Sequence, residues 1–482
     1  MAENQENPRY KWMVLVSVAM GVFLATIDGS IVNIGLNTLV RDFGKPLAVI
    51  EWVVLAYMLT ISTLMLSIGR LSDMVGKKKL FLAGMAIFTV SSGLCGLSPD
   101  IYWLIGFRVL QAVGASMIMA LGIAIVTEAF PSQERGKALG IMGTMVSIGI
   151  IAGPAIGGII LESLTWHWLF FVNLPIGIIG ILMVLRFVPD RSIRSTQKFD
   201  FVGAGILLVS LASFLVALSL GQNGGFNNWV VITLLGICPL SLMLFIWAER
   251  KVEQPIIDLK LFSNNQFSIN LITGFLVFIS TAGTMLILPL YLLNILGYGP
   301  QQTGLMLAIT PVIVAVVAPL SGALSDRIGT RPITTLGLAM LIIGFFAVSS
   351  LSEHTTTLGY LVRFIPIGIG VGLFQSPNNS AVMGSVSRDR LGVASGLLSL
   401  TRTIGQTTGI ALLGAFWENR VAAYSGGFIH MDATSAPPLL QVMGFKDTIY
   451  LVIGLLMIAF CISLWALFSF FKNQQKHSVS VS

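Results

Sequence analysis

Long apolar runs, interrupted at intervals by charges, glycines and prolines, follow one another along almost the whole chain. Each is long enough to supply the about 20 helical residues that a bilayer's hydrocarbon core requires. Fourteen spans are predicted, at 12–36, 51–69, 80–97, 101–127, 138–162, 169–187, 201–221, 229–247, 267–293, 303–322, 332–351, 358–384, 392–415 and 448–471. The expected fold class is all-α, a polytopic membrane protein. The first run is longer than the apolar part of a signal peptide, and no small-residue cleavage pattern follows it, so it is expected to be retained as a helix.

Composition agrees with this reading. Of the 482 residues 55% are hydrophobic and only 10% charged, with a mean hydropathy of +0.88, whereas a water-soluble domain carries about a quarter charged residues. Basic residues set the orientation. With the N-terminus cytoplasmic, only Arg41, Lys45, Arg420 and Lys446 fall in outer loops, while Arg108, Arg363 and Arg402 fall in spans. The remaining 21 of the 28 Lys and Arg lie in tails and inner loops, among them Lys77, Lys78, Lys79, Arg191, Arg194 and Lys198. Both termini are therefore expected on the cytoplasmic side of the cell membrane. The net charge of +7 then meets an anionic inner leaflet, and no nucleic-acid partner is needed to explain it.

Enzyme chemistry finds no support. There is no GxxxxGK[ST] phosphate cradle; the four histidines, His167, His354, His430 and His477, have no ligand spacing; and Cys95, Cys238 and Cys461 lie far apart in apolar runs, unlike a disulfide framework or a zinc cluster. No cofactor and no metal are expected.

The chain repeats itself. "GRLSDMVGKKK" at 69–79 recurs as "GALSDRIGTR" at 322–331, each reading GxxxDxxG after an even-numbered span, and Arg108 corresponds to Arg363 at an offset of 255. Two six-helix halves are expected, 1–190 and 263–482, with two inserted helices at 191–262 between them.

Several stretches in order, "LATIDGSIVNIGLNTL" in span 1, "GRLSDMVGKKK" after span 2, "RVLQAVGAS" in span 4, "GIIAGPAIGG" in span 5, "WHWLFFVNLPIG" before span 6 and "GLFQSPNNSAVMGSV" in span 12, make the chain resemble the fourteen-span drug:proton antiporter branch of the major facilitator superfamily. His167 departs from the pattern, standing where arginine is usual. The resemblance implies multidrug efflux driven by the proton gradient, with alternating access around a central cavity.

Asp28 is the candidate for the chemistry. Counting 1.5 Å per residue from Trp12 puts it about 24 Å along span 1, and Arg108 is about 9 Å from the outer end of span 4, so the two lie at similar depth. A buried carboxylate is driven toward protonation by desolvation and toward ionisation by a nearby arginine, so access from alternate sides could make Asp28 a proton carrier. The alternative is an ion pair that only holds the bundle together. Asn33, Gln111, Arg363, Asn378, Asn379 and Arg402 are polar groups on spans, expected either to line the substrate cavity or to join helices.

Two further sets carry conformational roles. Gly69, Asp73 and Gly76, repeated as Gly322, Asp326 and Gly329, suit a latch in which the aspartate accepts hydrogen bonds from a helix N-terminus or from basic residues; an ordinary charged loop is the alternative. Gly149, Gly153 and Gly157, with Pro154, give span 5 a small-residue face, and the resemblance assigns these residues together with Gly158 to the antiporter motif. The expected function is a proton-coupled exporter of amphiphilic or cationic small molecules, acting as a monomer in the lipid bilayer. A nutrient, peptide or lipid symporter or facilitator is the alternative.

Overall fold

The computed structural model describes residues 8–45, 47–190, 200–224, 228–252, 255–425 and 436–481; Arg191, Arg194, Lys198 and His430, noted above, lie outside them. All of the regular structure among these residues is helical. The long helices are α1 (Pro8–Phe43), α2 (Trp52–Val75), α3 (Lys77–Gly96), α4 (Ile101–Ala129), α5 (Arg135–Ser163), α6 (Asn173–Phe187), α7 (Phe201–Gly224) and α8 (Trp229–Glu249), followed by α9 (Asn265–Leu290), α10 (Ile309–Ile328), α11 (Thr330–Ser349), α12 (Thr357–Gly384), α13 (Leu391–Tyr424) and α14 (Pro438–Val481).

Thirteen helices among the described residues are long and apolar enough to cross a membrane. The predicted span 392–415 is not one of them. It lies in α13, whose 34 residues are ample in length but include Arg402, Gln406 and a run of threonines.

The chain divides into two compact units, one of residues 1–214, 235–261 and 386–400, the other of 215–234, 262–385 and 401–482. Within the first, α4 packs on α2 and α3, α6 packs on α1 and α3, and α5 lies along α1. The second repeats the scheme: α12 packs on α10 and α11, and α14 on α9 and α11. Their cores are largely aliphatic and phenylalanine side chains, such as Phe81 and Phe88 in the first and Phe345 and Phe374 in the second.

Small residues set the closest crossings. A Cβ on Gly84 would sit 2.9 Å from the carbonyl oxygen of Gly114, and one on Gly337 would sit 3.0 Å from that of Gly370, the corresponding crossing of the second unit. The duplicated loops are likewise alike in backbone. Gly76 and Gly329 hold φ of +109° and +92° at the α2–α3 and α10–α11 turns, a region that disfavours any residue with a side chain.

Candidate functional site

Span 1 meets its neighbours around Asp28, which is fully buried, as is Arg108. Arg108 Nη1 donates to Asp28 Oδ2 at 2.5 Å and to Gln111 Oε1 at 2.8 Å, and its Nε donates to the Val53 carbonyl at 3.0 Å. Gln111 lies three residues after Arg108 and so shares its face of α4; its Nε2 donates to Asp28 Oδ1 at 3.0 Å. Asn173, the first residue of α6, donates from Nδ2 to the same Oδ1 at 2.8 Å and to Ser92 Oγ at 3.0 Å. Above the guanidinium lies the Tyr57 ring, 3.9 Å from Arg108 Cζ, and the Tyr57 hydroxyl donates to the Ala25 carbonyl at 3.2 Å.

One carboxylate thus binds donors from α4 and α6, and through Arg108 and Asn173 it is linked to α2 and α3. Asp28 acts purely as an acceptor here. Two atoms in the cluster are left over: Arg108 Nη2 and Asn173 Oδ1 are buried with no hydrogen-bond partner.

The glycine face of α5 closes the remaining side of α1. A Cβ on Gly149 would meet Thr26 at 3.0 Å, one on Gly153 would collide with the Ser30 hydroxyl, and one on Gly157 would meet Ile31 at 2.9 Å. Ser30 also donates to the Gly149 carbonyl at 3.0 Å. These contacts bracket Asp28 within one turn on either side. Gly158 has no atom within 4 Å of its would-be Cβ, and Pro154 is exposed; α5 continues through the proline.

Asp73 lies elsewhere in the same unit. Its two carboxylate oxygens accept from the backbone amides of Gly392 at 3.0 Å and Val393 at 3.1 Å, in the first turn of α13. Four residues on, Lys77 joins Asp73 at 3.1 Å and Glu128 of α4 at 2.8 Å. A Cβ on Gly69 would come within 2.5 Å of the Gly392 carbonyl, so the first glycine of the motif permits the approach and the aspartate fastens it. The start of α13 carries a further tie, Arg390 Nη1 to Asp258 Oδ2 at 2.5 Å. Asp258 titrates below the usual carboxylate range: slight burial pushes it up, but the Lys260 amide and the Arg390 guanidinium outweigh that.

The other expected cavity residues separate. Gln111 belongs to the sealed Asp28 network. Asn33 is exposed and donates to the Gly29 carbonyl of its own helix at 3.3 Å. Arg363 is half-buried near the start of α12, donating to Ser350 Oγ and to the Gly359 carbonyl, each at 2.8 Å. Asn378 is buried, with Oδ1 unpartnered; Asn379 and Arg402 are half-buried. Asn173, Tyr57 and Ser92 are not among the residues picked from sequence. A polar residue inside "FFVNLPIG" was the signal available for Asn173.

Comparison with known proteins agrees with the repeated architecture. Residues 18–410 match the Major Facilitator Superfamily. The chain is 36% identical over 409 residues to the riboflavin transporter RibZ of Clostridioides difficile (strain 630), covering 85% of this chain and 89% of that one. It is 33% identical to the multidrug resistance protein Stp of Mycobacterium tuberculosis (strain CDC 1551 / Oshkosh), over 84% of this chain and 76% of the other. Among solved structures, the human organic anion transporter MFSD10 (TETRAN) superposes with a TM-score of 0.66 at 16% identity, covering 94% of this chain and 99% of that one, a likeness of fold. Duplicated units, a matching sequence pattern across most of the length and relatives above 30% identity lead to one assignment: the chain belongs to the major facilitator superfamily, a family of membrane transporters and not of enzymes.

Proposed function

We propose that this protein is a proton-coupled exporter of drugs or other amphiphilic small molecules, working by alternating access with Asp28 as the proton site and Arg108 as its counter-ion. The observation that carries the reading is the sealed Asp28 cluster: an acid with no exposure to solvent, held by donors from two helices and bracketed by the glycine face of α5. Ionisable groups inside spans are costly and mark ion pathways. Because this cluster ties helices together, protonating the acid weakens the ties and favours a second arrangement, which is what coupling requires.

The remaining parts fit the same cycle. Asp73 fastened to the first turn of α13 is a contact that one conformation has and another can lack; we assign the latch to it, and to Asp326 by repetition. Fourteen spans, with α13 as the thirteenth, both termini cytoplasmic, a monomer in the cell membrane and no cofactor complete the proposal.

The test uses proteoliposomes carrying an imposed proton gradient and a dye or drug panel. Wild type is expected to release protons on substrate binding and to move substrate uphill; Asp28→Asn is expected to insert and bind but to lose both. Retained uphill movement by Asp28→Asn places coupling elsewhere. A second reading, carriage of a vitamin-like nutrient, draws on the similarity to a protein named a riboflavin transporter. Riboflavin flux that follows its own gradient and ignores both pH and Asp28→Asn would favour it.

A further inference from the structure

Arg402 is a cation inside a span of the second unit that has no partner among the described residues. It lies 11 residues into α13, about 16 Å along the helix at 1.5 Å per residue, and is half-buried. Among the described residues it has no hydrogen-bond, ion-pair or ring partner. The spans of its own unit hold no acid at this depth. α9, α11 and α12 contain no Asp or Glu; Asp326 is two residues from the end of α10; Glu418 is 16 residues beyond Arg402 on α13; and Asp447, near the start of α14, is paired with Arg420 at 2.6 Å. Asp28 is already engaged by Arg108 within the first unit.

A second orphan lies on a neighbouring helix. Gly405 and Gly409, one and two turns after Arg402 on the same face, pack on α9, where a Cβ on Gly405 would meet Phe278 at 2.9 Å. On α9 just before this contact is Gly274, whose would-be Cβ lies 3.3 Å from Asn378 Nδ2. Asn378 is 2% exposed, and its Oδ1 has no partner. Asn378 and the glycine one turn after Arg402 thus meet α9 within about one turn of each other, at Gly274 and Phe278, which puts an unpaired amide oxygen and an unpaired guanidinium at neighbouring levels of the bundle.

We propose that Arg402 and Asn378 form the polar centre of a substrate subsite that takes an organic anion: an acidic group on Arg402, a hydroxyl or N–H donated to Asn378 Oδ1, and a ring against Phe278. The inference rests on the exporter reading and narrows its substrate class. An uncompensated guanidinium inside a span needs a counter-charge, and no side chain among the described residues of this unit supplies one, so the cargo does. A cationic drug would meet repulsion at the same place.

The test takes two dyes that share a xanthene ring, anionic fluorescein and cationic rhodamine 123, with equilibrium binding by fluorescence anisotropy to the solubilised protein and transport in proteoliposomes. Wild type is expected to bind fluorescein saturably and in preference to rhodamine 123. Arg402→Gln is expected to weaken fluorescein binding about tenfold or more, the scale of a lost charge-assisted hydrogen bond, and Arg402→Lys to keep most of it. Asn378→Asp preserves side-chain size and places an acid beside the site; it is expected to abolish fluorescein binding and to admit rhodamine 123, with an unchanged size-exclusion profile. Absence of saturable fluorescein binding to wild type, wild-type preference for rhodamine 123, or fluorescein binding untouched by either Arg402→Gln or Asn378→Asp overturns the proposal. Fluorescein binding without uphill movement keeps the anion subsite and removes the exporter reading; uphill movement of rhodamine 123 without fluorescein binding does the reverse.

Discussion

Arg108 and Arg363 occupy equivalent places in the two repeats, yet their surroundings differ in kind. Arg108 is fully buried, paired to Asp28 and covered by Tyr57. Arg363 is half-buried and satisfied by a serine hydroxyl and a carbonyl of its own helix. The difference originates in the partner span: α1 offers Asp28, while the corresponding "FISTAGT" of α9 has no acid. Duplication supplied two copies of one frame, and a single carboxylate made one of them the place where charge is stored. The second unit answers Arg363 with neutral acceptors and leaves Arg402 with no partner among the described residues.

Removing each arginine probes that difference most strongly. Arg108→Met leaves Asp28 buried and unpaired and is expected to cost about 3–5 kcal/mol. Arg363→Met gives up hydrogen bonds to neutral acceptors at a half-exposed site and should cost about 1 kcal/mol. Thermal unfolding of the solubilised variants measures both, and Asp28→Leu combined with Arg108→Met should recover most of the loss. Equal sensitivity at the two positions would show that the repeats do not differ as described.

Next in size are the glycine seams, which the units share. Gly153→Leu collides with Ser30, and Gly409→Leu collides with the Ile279 backbone; each is expected to destabilise by about 1–3 kcal/mol through overpacking. Gly158→Leu, facing open space, should change stability by no more than about 0.5 kcal/mol. Similar losses at 153 and 409 would set packing, which is duplicated, more clearly apart from charge, which is not.

The latch is expected to act on rate. Asp73→Asn keeps one acceptor oxygen but loses the charge facing the first turn of α13 and Lys77. Transport should slow about tenfold, a shift of about 1.4 kcal/mol between conformations, with substrate affinity little changed; Asp326→Asn is expected to slow it less. Wild-type rates in both variants would make the two loops plain connections.

The smallest effect concerns Asp258. Its carboxyl is held below the ordinary range in the folded protein, so its contribution is present above about pH 4, the unfolded carboxylate value, and is lost as pH falls through the depressed folded value. The pair with Arg390 is partly exposed, so Asp258→Asn should cost no more than about 1 kcal/mol at pH 7 and progressively less as pH falls below about 4. A loss that does not shrink as pH falls below about 4 would assign the effect to packing.

Much of the frame was readable from residue order. Length and apolarity of the runs located the helices, because lipid leaves the backbone no partner but itself. α13 escaped the simple hydropathy criterion because Arg402, Gln406 and its threonines are bearable only where other helices surround them. The site was readable in part: depth along two helices put Asp28 and Arg108 level, since rise per residue is constant. Depth carries no information on azimuth. Gln111 and Asn33 therefore read alike, as cavity residues or as links between helices, whereas in the structure Gln111 donates to Asp28 on α1 and Asn33 is exposed.

Periodicity, charge asymmetry and repetition are local or additive properties, and the order of residues was enough to set them. Which groups answer one another was settled only by packing. Asn173 reaches Asp28 across 145 residues, and the amides of Gly392 and Val393 reach Asp73 across 319 and 320. The same holds for what stays unanswered: Arg402 and Asn378 are ordinary polar letters in the sequence, and their lack of partners exists only once every neighbouring helix is in place. Buried polar groups are costly unless paired, which is why the proposed anion subsite rests on Asn378 and Arg402.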